Sequence, residues 1–258
     1  MRSTRRLLLA SVAGAVFLIF ASHTAVTAAA DLKVLSGFGM KPALDELAPQ
    51  FERSAGHKLT ITYDSSGPLK RAIDAGEPFD VVIATQVLRD DLAKQGKIGT
   101  STVVARSGVG ISVKAGASMP AVDSTDAIKR TLLGAKSIAY SAEGATAAHF
   151  FRVGERLGIA QDLKAKAKPV KNAEAVGQAV ADGSAELGFS VISAIRATRG
   201  VELAGPLPAE LQDYVVYSAA LGKAVKNSDG ARAFIQFLTD ERAAAVLRAK
   251  GLEPGTPR

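Results

Sequence analysis

Lys58-Leu59-Thr60-Ile61-Thr62-Tyr63-Asp64-Ser65-Ser66-Gly67-Pro68-Leu69-Lys70-Arg71-Ala72-Ile73-Asp74-Ala75-Gly76, followed after Glu77-Pro78 by Phe79-Asp80-Val81-Val82-Ile83-Ala84, is the stretch whose reading decides the fold. Residues 58–63 alternate polar and apolar, the period of a strand. Asp64-Ser65-Ser66-Gly67 breaks that run. Pro68 suits the first turn of a helix, Leu69, Ala72 and Ile73 supply its buried stripe, and Gly76 stops it. Phe79–Ala84 is apolar except for Asp80, as expected of a strand covered on both faces. Strand, small polar loop, helix, strand is the β-α-β unit of an α/β protein with a largely parallel sheet.

Working outward, the same alternation recurs. Leu32–Leu35 and the loop Ser36-Gly37-Phe38-Gly39 precede a helix marked by Met40, Leu44, Leu47, Ala48 and Phe51. A helix is expected over Val87–Gln95, then two strands, Thr102–Ala105 and Val109–Val113, separated by Arg106-Ser107-Gly108. Ser124-Thr125-Asp126 opens a helix to Leu133. Lys136–Tyr140 reads as a strand, Ser141–Thr146 as a Gly-containing polar loop, and Ala147–Leu157 as a helix. Helix Ala173–Ala181, strand Glu186–Ser190, helix Ile192–Arg199 and strand Asp213–Leu221 follow. Two helices, Asp229–Leu238 and Glu241–Ala249, close the pattern.

Composition narrows the class. The 258 residues are 47% hydrophobic, with 24 Gly and no Cys, which excludes a disordered chain and a disulfide-stapled scaffold. Arg2, Arg5 and Arg6 precede an apolar run from Leu7 to Ala21 and a closing Ala28-Ala29-Ala30. This is the pattern of a cleavable signal peptide over residues 1–30, with export to the periplasm. A membrane anchor is the alternative, but the run is short beside the roughly 20 residues a spanning helix needs. Thr4-Arg5-Arg6-Leu7-Leu8 also resembles a twin-arginine signal, and with no Cys after the apolar run a lipoprotein anchor is excluded. The formal charge of +7 loses three arginines with that segment, leaving +4 spread among acids and bases. No concentrated basic face for nucleic acid is visible.

Three strand-to-helix junctions, 36–39, 64–67 and 141–146, are rich in Gly and Ser. Helix starts expose unpaired N–H groups and a partial positive charge; converging, they form an anion site without formal charge. Separately, Ser66, Ser141 and Thr146 are ordinary cap residues. Arg106 either clamps a carboxylate or is a solvated turn residue. Asp64 and Asp80 are read as structural. His57 reads as a solvent-facing turn residue, and His149 either lines a cleft or packs. There is no Cys nucleophile, Gly-x-Ser-x-Gly elbow, His-Glu-x-x-His motif or Walker loop. The expectation is therefore a non-enzyme without cofactor or metal; an exported hydrolase or transferase on the same scaffold is the alternative from another class.

At these residues the chain resembles the extracytoplasmic substrate-binding proteins of ABC transporters, and within them the molybdate-binding branch. Tyr63–Arg71, Ile73–Gly76 and Phe79–Ala84 carry the resemblance; Val34–Leu44 and the closing helix pair match in order and spacing. The resemblance implies a type II periplasmic-binding-protein fold: two α/β lobes joined by two crossing strands, with the ligand cleft between them. The crossings fall near Ala84–Thr85 and Val191–Ser193, giving lobe 1 as 31–84 plus 194–258 and lobe 2 as 85–193. It further implies a monomer that passes a small anion, molybdate- or tungstate-like, to an inner-membrane permease. Carried over residue by residue, the first loop offers Gly39, with Ser36 and Gly37 beside it, where the family has a Ser. The second offers Ser66 with Ser65, and the third a backbone group near Thr146. Val176 matches a backbone donor, and Val191 replaces a Tyr that bonds the oxyanion. With two hydroxyls missing, Arg106, Ser107 and His149 become candidate additions, which suits an organic carboxylate as the alternative ligand.

Overall fold

The computed structural model describes residues 31–255, so the expected signal peptide lies outside the described residues. Strand β1 (Asp31–Gly37) runs into a single 3-10 turn, Phe38–Met40, and then helix α1 (Lys41–Ala55), with Pro42 in its first turn. Gly56, at φ 71°, ends α1 in the left-handed conformation that glycine adopts without a Cβ clash. Strand β2 (Lys58–Asp64) pairs parallel with β1 from Asp31↔Lys58 to Gly37↔Asp64. The β1 and β2 loops therefore end at the same level. Helix α2 (Ser66–Asp74) and the fully buried β3 (Val81–Thr85) complete the unit, with β3 parallel to β1 on its other side. Helix α3 (Gln86–Lys94) follows.

The next strand departs from expectation. β4 runs unbroken from Ile98 to Lys114, 17 residues, where two strands separated by Arg106-Ser107-Gly108 were expected. Its first part pairs with β9 (Tyr214–Gly222), and its last part with β7 (Leu187–Val191) and β8 (Val201–Pro206). The change of partner falls at Gly108–Val109, so the polar triplet marks an exchange of neighbours, not a turn.

Beyond β4 come α4 (Thr125–Gly134), β5 (Ile138–Ser141), α5 (Ala147–Arg156), α6 (Ala160–Lys166), β6 (Ala167–Val170) and α7 (Ala173–Ala181). Helix α8 (Ile192–Ala197) follows β7, and α9 (Ser228–Phe237), α10 (Glu241–Ala249) and the short β10 (Glu253–Pro254) end the described chain. The strand order is β2-β1-β3-β9-β4-β7-β5-β6, with β8 and β10 also on β4. β4 is thus shared by two halves of the sheet.

Each half has its own apolar core. In the first, Leu44, Leu47 and Phe51 of α1 meet Phe234 and Leu247. On the other face Leu35, Leu69 and Val82 pack with Leu88, Leu92 and Ile98. Leu88, Leu92 and Ile98, which follow the expected crossing at 84–85, accordingly pack with β1, α2 and β3, and β4 changes partner from β9 to β7 near Gly108. The expected second crossing, Val191–Ser193, is the junction of β7 and α8, where Val191 and Ala194 pack together in the first core. His57, expected in solvent, is buried and stacked on Phe51.

The second core centres on Phe150, stacked on Tyr140 at 4.7 Å and edge-on to Phe189 at 5.2 Å. Phe150 lies on α5 one turn beyond Thr146, so this packing fixes where the β5–α5 loop sits. Phe150→Ala is expected to lower unfolding free energy by about 3–5 kcal/mol, as for other fully buried aromatics, measured by urea denaturation. A loss under 1 kcal/mol would show that the second half does not depend on this cluster.

Candidate functional site

The carboxyl ends of β1, β2, β3, β5 and β7 all open onto one cavity of about 40 Å³, where ligands of open α/β sheets sit. Gly37, Phe38 and Gly39 enter from β1; Asp64, Ser65 and Ser66 from β2 and the start of α2; Thr85 from the end of β3. The opposite wall is Ser141, Gly144, Ala145 and Thr146 between β5 and α5, with Ala173 at the start of α7 and Ser190 and Val191 at the end of β7. Tyr217 reaches in from β9. Both halves of the sheet therefore contribute.

Hydroxyls dominate the lining. Ser66 Oγ and Thr85 Oγ1 are 3.0 Å apart, Ser65 Oγ and Ser141 Oγ 3.4 Å. Asp64 accepts the Ser65 backbone N–H at 2.7 Å. The side-chain hydroxyls of Thr146, Ser190 and Tyr217 differ from these. Their residues are 4%, 3% and 3% exposed, yet the three hydroxyls have no hydrogen-bond partner among the described residues. These oxygens are not sealed off: among the described residues the buried side-chain N or O atom without a partner is His149 Nε2, so the three hydroxyls are open to the cavity. Burial holds the Tyr217 phenol well above its ordinary pKa, so it stays a donor. No Lys, Arg or His lines the space, and Asp64 is its one carboxylate.

Among the residues singled out from sequence, Gly37, Gly39, Ser65, Ser66, Thr146 and Val191 line this cavity. Five do not. Ser36 is buried in β1 with Oγ turned to the Gly37 carbonyl at 3.3 Å. Arg106 points outward, half exposed, with Nε donating to Glu253 at 2.7 Å and its guanidinium over the Tyr214 ring. Ser107 is buried away from the cavity, where its Oγ accepts the Ser193 N–H at 3.3 Å. His149 packs against Phe189, with Nδ1 3.8 Å from Asp213. Val176 lies in an apolar cluster, and its N–H donates to Asn172 O at 3.1 Å, so it offers no free donor; Ala173, at the helix start, faces the cavity instead.

Sequence reasoning missed Thr85, Ser141 as a cavity hydroxyl, Ser190 and Tyr217. The omission of Tyr217 matters most, because it supplies a phenol beside both positions where a hydroxyl was thought lost. A Cβ on Gly39 would collide with Tyr217 Oη and lie 3.2 Å from Val191 Cγ2. The two halves also touch at the rim: Gly67 N–H donates to Glu143 O at 3.4 Å, and Arg71 pairs with the Glu143 carboxylate at 2.6 Å.

Comparison with known proteins gives the family and the fold. Residues 32–253 match a family model described as bacterial extracellular solute-binding protein, and the chain belongs to that family. A Pseudomonas aconitate isomerase is 31% identical over 93% of this chain and 94% of its own. The molybdate-binding protein ModA of Azotobacter vinelandii is 27% identical over 86% of this chain and 90% of its own. The solved periplasmic molybdate-binding protein of the same organism superposes with a TM-score of 0.74, 24% identity and 88% and 100% coverage. The fold is thus that of the molybdate-binding-like periplasmic proteins. The expectation that the chain is not an enzyme is overturned by the isomerase: an enzyme is similar to it along nearly its whole length.

Outside the cavity, His149 gives a stability signature. Burial lowers its pKa from 6.5, outweighing the nearby Asp213 carboxylate, and Nε2 has no partner among the described residues. The unfolded chain then takes up the proton first, so stability is full above about pH 6.5 and declines as the pH falls below it. Melting temperature is expected to drop between pH 7 and pH 5, and to drop less in His149→Phe. Identical slopes would remove His149 as the cause.

Proposed function

We propose that this member of the solute-binding family holds a small anion in the cavity between the two halves of its sheet, either an inorganic oxyanion or the acidic head of a small organic acid. The observation that carries the reading is the convergence of the unpartnered Thr146, Ser190 and Tyr217 hydroxyls on a space without a cation. Hydroxyls can donate to an anion's several acceptors, and the starts of α2 and α5 add N–H groups and favourable dipoles. Selection by oriented neutral donors instead of bulk charge is consistent with the modest +4 of the chain beyond residue 30.

Size bears on the ligand. A water needs about 10–15 Å³ of such space, so 40 Å³ offers room for about three or four oxygen-sized centres. That suits a four-oxygen anion such as molybdate, tungstate, sulfate or phosphate. A twelve-heavy-atom tricarboxylate would need the halves further apart. The Arg71–Glu143 pair and the Gly67–Glu143 hydrogen bond at the rim are contacts that such opening would break. In this reading the protein works in the periplasm as a monomer after removal of residues 1–30, presents its loaded form to an ABC permease, and binds no nucleic acid.

A second reading is favoured by the isomerase relative. Aconitate is an unsaturated tricarboxylic acid, and a 1,3-proton shift interconverts its isomers. A base takes a proton from the methylene carbon, the C–H pair moves into a new C=C, and a proton returns at the far carbon. Asp64 is the one carboxylate of the cavity and Tyr217 a permanently protonated donor; the first would move the proton and the second would stabilise charge developing on the substrate carboxylate.

Titration with molybdate, tungstate, sulfate, phosphate and cis- and trans-aconitate tests both. The preferred anion is expected to stabilise the fold by about 2.7 kcal/mol at a hundredfold excess over Kd, seen as a raised melting temperature. No shift with any of them would refute anion binding. Ser190→Ala is expected to cost about 0.5–1.5 kcal/mol of binding, whereas Arg106→Ala leaves affinity unchanged because Glu253 and Tyr214 hold it outside the cavity. Isomerisation followed by ultraviolet absorbance should be present in the wild type and lost in Asp64→Asn if the second reading holds.

A further inference from the structure

We infer that Tyr217 and Gly39 form a matched pair that determines which anion the cavity accepts, Tyr217 as the ligand-contacting donor and Gly39 as the gap that admits it. This rests on the anion-binding reading of the cavity and names its selecting group.

Tyr217 is held in the sheet between two strands, opposite Thr85 of β3 and Ala105 of β4. Its ring lies against Gly37, where a Cβ would be 3.1 Å from Cε1. Its oxygen abuts Gly39, with Val191 as the adjoining wall. A phenol packed this way turns its oxygen to the cavity, where it is accessible and makes no side-chain hydrogen bond to another described residue. A ligand or water in the cavity is the remaining acceptor. The Gly39 turn is itself fixed: Ser193 Oγ donates to Gly39 O at 2.9 Å, and Ser193 N–H is anchored on Ser107 Oγ at 3.3 Å.

The consequence is mutual exclusion. Any side chain at 39 occupies the space of the Tyr217 oxygen, so a short hydroxyl from residue 39 and a phenol from residue 217 are alternative donors for the same region. The phenol projects from a rigid strand in the sheet, while a seryl hydroxyl would come from the turn. Donor position, and with it the shape of anion preferred, is set by which of the two is present.

The test is a double-substitution cycle on the full chain, with binding of molybdate, phosphate and trans-aconitate read by calorimetry and folding read by melting temperature. Tyr217→Phe is expected to keep the wild-type melting temperature and to weaken the best-bound probe by about ten- to a hundredfold, as for a hydrogen bond to a charged group. Gly39→Ser is expected to lower the melting temperature with Tyr217 present and to leave it nearly unchanged in a Tyr217→Leu background, where the seryl hydroxyl also recovers part of the lost affinity. An unchanged affinity in Tyr217→Phe, or additive effects of the two substitutions on melting temperature, would overturn the pair. The melting arm needs no ligand, so a wild type that binds none of the three probes while the substitutions still couple would contradict the ligand-contacting role and the anion reading, but not the packing.

Discussion

The hydroxyl-lined cavity exists only where the two halves of the sheet meet along β4, and that constraint organises this molecule. Thr146, Ser190 and Tyr217 turn their hydroxyls onto one space that is open to water or a ligand. The three come from the β5–α5 loop, the end of β7 and the middle of β9. Nothing local brings them together. They meet because β4 is shared by both halves of the sheet, with β9 on one side and β7 on the other. Loss of the β4 register would separate the donors even if each half stayed folded.

The absence of cations from the lining is as informative as the hydroxyls. Arg71 and Arg106 are engaged with carboxylates at exposed positions, and exposed pairs contribute little to stability. Inside, neutral donors and helix starts provide attraction that depends on direction and spacing. In the anion-binding reading such a lining discriminates by geometry, which is compatible both with carrying an anion and with holding a substrate while a proton moves. The likeness to an aconitate isomerase and to molybdate-binding proteins spans those two uses on one scaffold. A carboxylate within the cavity, Asp64, is the feature that an anion carrier does not obviously need.

Much of the fold was legible because its signals are local. The alternation at Lys58–Tyr63, Pro68 in a first helical turn and the apolar run before Ala84 each dictate one element, and the Gly- and Ser-rich junctions sit where strands hand over to helices. β4 was misread because Arg106-Ser107-Gly108 resembles a turn; in the structure the same polarity serves a strand changing partners, with Arg106 facing solvent and Ser107 reaching α8. The lining of the candidate cavity was half legible for the same reason. Ser65, Ser66, Thr146, Gly37 and Gly39 stand in loops that announce themselves. Tyr217 sits in an apolar strand 178 positions from Gly39, and only the sheet order brings the two together. Arg106 and His149 attracted attention as chemistry-bearing types, but Glu253 and the Phe189 ring account for them.

The most direct test of the central claim is a crystal structure of the protein grown with the anion that raises its melting temperature most. The account predicts that anion in the cavity, with its oxygens at hydrogen-bond distance from the hydroxyls of Thr146, Ser190 and Tyr217. An anion bound elsewhere, or one in the cavity that leaves those three hydroxyls unpaired, would contradict it.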